Sequence, residues 1–121
     1  MFSPPAIYVR VSRNCMRVRN SSTGVEETVR PASPFSTERL LVGMFSIAES
    51  ALRGALAKVR GRRLRKDRVL IQPLEMIDGG LSEVEERVLL ELAAGAGCGK
   101  AVVWVGEELS DQAVRAKLGA P

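Results

Sequence analysis

Residues 68–97 read RVLIQPLEMIDGGLSEVEERVLLELAAGAG, and the way this stretch divides decides the fold. Val69-Leu70-Ile71 is a compact apolar run closed by Pro73, which suits a strand buried on both faces. Asp78-Gly79-Gly80 marks a loop. Ser82-Glu83-Val84-Glu85 then opens a helix: the Ser82 hydroxyl can accept from the amide three residues on, and the Glu85 carboxylate can reach back to the serine amide. Val84, Val88, Leu89, Leu92 and Ala96 recur at helical spacing and define the expected buried face, and Gly95-Ala96-Gly97 ends the helix. A buried strand feeding a capped helix is the core of a crossover unit, so a parallel neighbouring strand is expected.

That neighbour is supplied downstream by Ala101-Val102-Val103-Trp104-Val105, read as a second interior strand with Trp104 in the core. Ser110-Asp111 begins a last short helix reaching about Leu118. Upstream, from about Glu38, apolar residues Leu40, Leu41, Met44, Ile47, Ala48, Ala51, Leu52, Ala55, Leu56 and Val59 form one stripe at three- and four-residue spacing. Gly43 marks a break near its start, so the main helix is expected to begin nearer Phe45, and Gly61 is its stop. Further upstream, Ile7–Val11, Met16–Arg19 and Val25–Arg30 carry strand patterns separated by turns at Ser12-Arg13-Asn14 and Asn20–Gly24, and Pro31 and Pro34 end the meander. The order β-β-β-α-β-α-β-α predicts an α/β chain with a mixed five-stranded sheet whose last strands are parallel, in a single domain spanning 1–121.

Composition narrows the chemistry. Histidine is absent, which excludes Ser-His-Asp and Cys-His nucleophile pairs and the usual zinc sites. No Asp/Glu cluster resembles a calcium loop, so no metal is expected. Cys15 and Cys98 sit in or beside strand patterns and read as two buried reduced thiols. Apolar runs stay far short of the ~20 residues of a membrane helix. Met1-Phe2-Ser3-Pro4-Pro5 lacks the features of a secretion signal, so a cytoplasmic protein is expected.

Formal net charge is +4, and the excess is local: Arg60, Arg62, Arg63, Arg65, Lys66 and Arg68 are offset only by Asp67. One reading is a solvated helix end whose cations complement the helix dipole. The other is a contact with acidic lipid headgroups, nucleic acid or an acidic protein. Nucleic acid is the weaker form, because Trp104, Tyr8 and the phenylalanines do not interleave with the run to make a stacking surface. Gly79-Gly80 lacks the lysine of a Walker motif and the spacing of a dinucleotide fingerprint, so it reads as a turn. In the same loop Met76 and Ile77, if exposed, would make a small apolar contact surface.

The stretch Ala48-Glu49-Ser50-Ala51-Leu52 through Arg62-Arg63, then Arg68-Val69-Leu70-Ile71, then Gly80-Leu81-Ser82-Glu83-Val84-Glu85-Glu86-Arg87, then Ala93-Ala94-Gly95-Ala96-Gly97, resembles the rod-shape-determining bacterial actin family, MreB. The resemblance implies one ribonuclease-H-like lobe of the actin, Hsp70 and sugar-kinase superfamily. Its N-terminal part departs from the family pattern. Residues Ile7–Asn14 fall where MreB-like chains have an Asp-Leu-Gly-Thr hairpin that cradles phosphate and magnesium; Arg10 stands in place of the acid, and Ser12-Arg13 in place of the glycine and threonine. Glu85 falls at the position that orients the attacking water in the family, though its capping role accounts for it. The expectation is therefore a non-enzymatic actin-like protein without a cofactor, whose partner is another protein such as a full-length bacterial actin homologue. Its rivals are a binder of nucleic acid or an anionic membrane surface through 60–68, with a log-log salt slope near ~−4.5 for about five neutralised phosphates, and a residual enzyme completed by dimerisation.

Overall fold

A computed structural model describes residues 4–61 and 67–119. The meander consists of β1 (Ala6–Ser12), β2 (Cys15–Asn20) and β3 (Glu26–Val29), followed by α1 (Phe45–Val59), β4 (Arg68–Pro73), α2 (Glu83–Gly95), β5 (Lys100–Val103) and α3 (Asp111–Lys117). The chain is thus an α/β protein with a mixed five-stranded sheet in the order β3-β2-β1-β4-β5. β1 and β2 run antiparallel, as do β2 and β3, whereas β4 lies parallel to β1 on one side and to β5 on the other.

Alternation along β1 sorts the two faces. Ile7, Val9 and Val11 join Met16, Val18, Val69 and Ile71 beneath α1 and α2, which contribute Leu52, Leu56, Leu89 and Leu92. Ala6, Tyr8 and Leu70 face the other way, beneath Val114 and Leu118 of α3 and its following turn. Val69, Leu70 and Ile71 are completely buried, as a strand covered on both faces requires.

Four details differ from the sequence reading, each for a local reason. β5 is an edge strand rather than an interior one, because no strand among the described residues pairs with its outer side; its apolar residues pack partly against both layers. Trp104 lies beyond β5 and is half-buried: its Nε1 donates to the Glu107 carbonyl at 2.8 Å, and the Lys117 ammonium sits 3.9 Å from its ring centroid. Leu40 and Met44 precede the helix and are 49% and 48% exposed. The helical stripe is cut there because the Gly43 and Met44 amides both donate to the carbonyl of buried Phe35, at 2.9 and 2.8 Å. A Cβ on Gly43 would lie 2.3 Å from Thr37 Cγ2, so only glycine fits this close approach. Finally, Val84 is 73% exposed, since the buried stripe of α2 begins only at Leu89.

Both cysteines are buried. No helix among the described residues is long and apolar enough to cross a membrane.

Candidate functional site

The turn between β1 and β2 is the position at which the resemblance places a phosphate cradle. Asn14 holds a left-handed conformation with φ of 53°, which allows the two-residue reversal. The turn's amides are both engaged by the protein itself. The Arg13 amide donates to the Glu75 carboxylate at 3.1 Å, and the Asn14 amide donates to Ser36 Oγ at 3.0 Å. Ser36 in turn donates its own amide to Asn14 Oδ1 at 2.8 Å, so the turn is laced to the segment that carries Phe35. The Arg13 guanidinium folds over the loops, donating to the Thr37 carbonyl and to Met76 Sδ, each at 3.2 Å. A side-chain carboxylate thus occupies the donor that an anionic ligand would seek.

Arg10 lies on the opposite face, beneath α3. Its guanidinium, only 9% exposed, meets Glu26 at 2.7 Å and Glu108 at 3.4 Å and stacks 4.7 Å from the Tyr8 ring centroid. Arg17 shares Glu108 at 2.5 Å, and Arg19 grips Asp111 in a two-pronged pair at 2.8 and 3.0 Å. Tyr8 donates to Gln72 and accepts from the Leu109 amide at 3.1 Å. Tyr8, Arg10, Arg19, Glu26 and Asp111 line an open cleft of about 370 Å³. The sequence showed Arg17 and Arg19 alternating with apolar residues along β2 but gave no sign of the cluster, whose acidic side lies up to 98 residues away and carries no local signal.

The cluster sets the titration behaviour of its members. The hydrogen bond from Arg19 holds the Asp111 carboxyl below its usual range. At Glu108 burial pushes upward, but the Arg17 and Arg10 contacts outweigh it and leave the carboxyl lowered. Burial pushes the Tyr8 phenol up. A carboxyl whose folded-state value is depressed contributes stability above its unfolded value, near pH ~4, and loses it as pH falls through the lower folded value. Unfolding followed by urea from about pH 6 down to about pH 3 is accordingly expected to show a steep acid loss that Asp111→Asn flattens. An identical slope in the variant would contradict the role given to this pair.

The capping box at α2 is complete: Ser82 Oγ accepts from the Glu85 amide at 3.2 Å, and the Glu85 carboxylate accepts from the Ser82 amide at 3.0 Å. That backbone donor also holds the Glu85 carboxyl below its usual range. Ser82→Ala is expected to destabilise the protein by about 1 kcal/mol in denaturant unfolding; no change would show that the box is idle.

The basic run divides. Arg62, Arg63, Arg65 and Lys66 lie outside the described residues. Arg60 pairs with buried Asp67 and reaches the Ala96 carbonyl at 3.5 Å, while Arg68 donates to the Leu118 and Pro4 carbonyls at 3.3 and 2.9 Å. Both flanking arginines are thus tied into the structure. Gly79 and Gly80 hold φ of 80° and 94°, as a reversing loop requires. Among the described residues no group of three or more Cys, Asp or Glu is placed to hold a metal ion.

A second concavity opens beside the turn, between the 40–42 segment, the loop after β4 and the first half of α2. It has a volume of about 110 Å³ and is walled by Leu40, Leu41, Met76, Ile77, Val84 and Val88, with Glu75 and Glu85 at its edge. Met76 and Ile77, read from sequence as a contact surface, are half-buried in this wall. The sequence reading missed Leu40 and Val84 here, because both had been assigned to buried helical stripes.

No protein-family model matches the chain. Among solved structures, the ethanolamine utilization protein EutJ from Carboxydothermus hydrogenoformans is similar at a TM-score of 0.49 and 18% identity, over 87% of this chain and 38% of that one. The chain therefore spans well under half of EutJ. In sequence, 97 residues are 34% identical to the uncharacterized protein YjaA of Escherichia coli (strain K12), covering 74% of this chain and 75% of that protein. Identity of that degree across three quarters of both chains is the mark of common descent, and the chain belongs to the family of YjaA.

Proposed function

We propose that this protein is a non-catalytic, actin-like lobe that works in the cytoplasm by binding another protein, in the control of cell shape or of cytoskeletal filaments. The observation that carries the reading is the occupation of the β1–β2 turn. Its two amides, the donors that a phosphate-cradling hairpin leaves free, bond to the Glu75 carboxylate and the Ser36 hydroxyl. A phosphate would have to displace a carboxylate already in place and overcome its charge. Arg10 supports the same conclusion. It stands where the MreB-like pattern has an acid, and a cation held between Glu26 and Glu108 is no ligand for magnesium.

The order of elements and the strand sequence β3-β2-β1-β4-β5 fit a lobe of the actin type. Without nucleotide chemistry, what remains is a fold whose exposed large apolar side chains include Leu40 and Val84, both lining one groove beside the sheet. Such side chains gain most by meeting a partner. A full-length bacterial actin homologue is the partner that the resemblance suggests.

The test is isothermal titration of the intact chain with Mg-ATP, combined with a phosphate-release assay. Neither heat of binding nor turnover is expected at millimolar nucleotide. Micromolar binding or measurable hydrolysis would overturn the proposal.

A further inference from the structure

We infer that the groove between the 40–42 segment and α2 receives a basic amphipathic helix of a partner protein, anchored by one large apolar side chain. This deepens the protein-binding reading and rests on it. Size supplies the first argument. At about 110 Å³ the cavity is well below the several hundred cubic ångströms that a cofactor or drug-sized ligand fills, but it suits a single leucine or phenylalanine side chain. One anchor in one pocket, surrounded by weaker contacts that exclude water, is the usual energetic layout of a protein interface.

The walls supply the second argument. Leu40 and Val84, both in its wall, are 49% and 73% exposed. Residues of this kind seldom gather by chance at the mouth of one cavity. The groove is walled by a helix and an irregular segment, while the sheet's edges are β3 and β5. An extended peptide therefore finds no unpaired strand here to add to, and a helix laid into the groove is the mode that fits.

Charge selects the sign of the partner. Segments 37–44 and 74–89 hold Glu38, Glu75, Asp78, Glu83, Glu85 and Glu86 against Arg39 and Arg87, in a chain whose net charge is +4. The Arg13 guanidinium, which reaches Met76 and Thr37, is a further cation at this end. Asp78, Glu83 and Glu86 have no ion-pair partner among the described residues, so they are available to lysines or arginines flanking an apolar anchor. Val84 sits in the first turn of α2 with Glu83, Glu85 and Glu86, and their carboxylates, against the positive end of the helix dipole, attract a cationic helix to that end.

The test uses the full chain with methyl and amide labels and a synthetic sixteen-residue peptide of leucine and lysine carrying one phenylalanine at the centre of its apolar face. The expected result is saturable shifts confined to Leu40, Met76, Ile77, Val84 and Val88. Binding should weaken roughly tenfold or more when the phenylalanine is replaced by alanine, and fall with added salt. Val84→Asp, at an exposed helix-start position that tolerates an acid, should remove the shifts while leaving the spectrum of the fold intact. The inference is overturned if no shifts appear at millimolar peptide, if they map elsewhere, or if the anchorless peptide or one with glutamate for lysine binds equally well. Failure here leaves the absence of nucleotide binding standing, because Mg-ATP titration reads that separately; nucleotide binding would remove the functional reading without moving these shifts.

Discussion

Replacing Phe35 by alanine is expected to lower the free energy of unfolding by about 3–5 kcal/mol, close to the whole stability of many small proteins. Phe35 has no exposed surface and packs in the larger core beneath α1 and α2. It also carries a carbonyl that receives the Gly43 and Met44 amides, and its neighbour Ser36 donates to the Leu41 carbonyl at 2.5 Å while holding Asn14. One aromatic side chain thus pins an irregular segment to the sheet, sets the start of α1 and braces the β1–β2 turn. Removing it leaves a cavity that this segment cannot fill without breaking those bonds. Urea unfolding, followed by far-ultraviolet circular dichroism, measures the loss; a change below about 1 kcal/mol would show that Phe35 is not the pin.

Arg10→Asp is the second large effect, and it bears directly on function. The substitution introduces the kind of residue that the MreB-like pattern places there, so it asks whether a single acid is enough to make the proposed non-catalytic lobe take Mg-ATP. The expected answer is that it does not. An aspartate at a site 8% exposed would face Glu26 and Glu108 with no cation between them, and the Tyr8 ring would lose its stacked guanidinium. The new carboxylate would sit buried without a partner, and although Glu26 and Glu108 are 32% and 51% exposed, their charges add repulsion to that cost. Meanwhile the amides of Arg13 and Asn14 stay engaged by Glu75 and Ser36 on the other face. The variant should therefore be strongly destabilised and still bind no Mg-ATP. Gain of nucleotide affinity by this variant would place the metal-holding position at Arg10 and contradict the account.

The same residues show where sequence was legible. Local rules were sufficient for α2, because a capping box needs only Ser82 and Glu85 three positions apart, and the structure forms both of its bonds. They were sufficient for β4, where an apolar run ending in proline has few alternatives. They were insufficient wherever the outcome depended on a distant neighbour. Gly43 announced a break in the α1 pattern, but only the long-range claim of Phe35 on the following amides turns Leu40 and Met44 outward. Val84 satisfied helical periodicity yet faces a groove, because the wall opposite comes from a segment more than forty residues earlier. Strand composition made β5 look interior; its place at the sheet edge is set by the order of crossovers.

The candidate sites divide in the same way. Arg10 and the β1–β2 turn were visible as departures from the MreB-like pattern that the sequence resembles, since differing residues can be read in place. Glu75 was not, because nothing in its neighbourhood announces that its carboxylate will meet an amide 62 residues away. That contact closes the turn by engaging the Arg13 amide. The ion pairs beneath α3 have a different consequence: they tie the last helix to the meander through Arg17 and Arg19, so acid should loosen this layer before the larger core.

The most direct test is to follow the backbone amide resonances of Arg13 and Asn14 while Mg-ATP is added to the labelled, intact chain. If the Glu75 carboxylate and the Ser36 hydroxyl hold these donors, both resonances stay in place up to millimolar nucleotide. Saturable movement of either one, with an apparent affinity in the micromolar range, would mean that the turn still takes phosphate and would contradict the account.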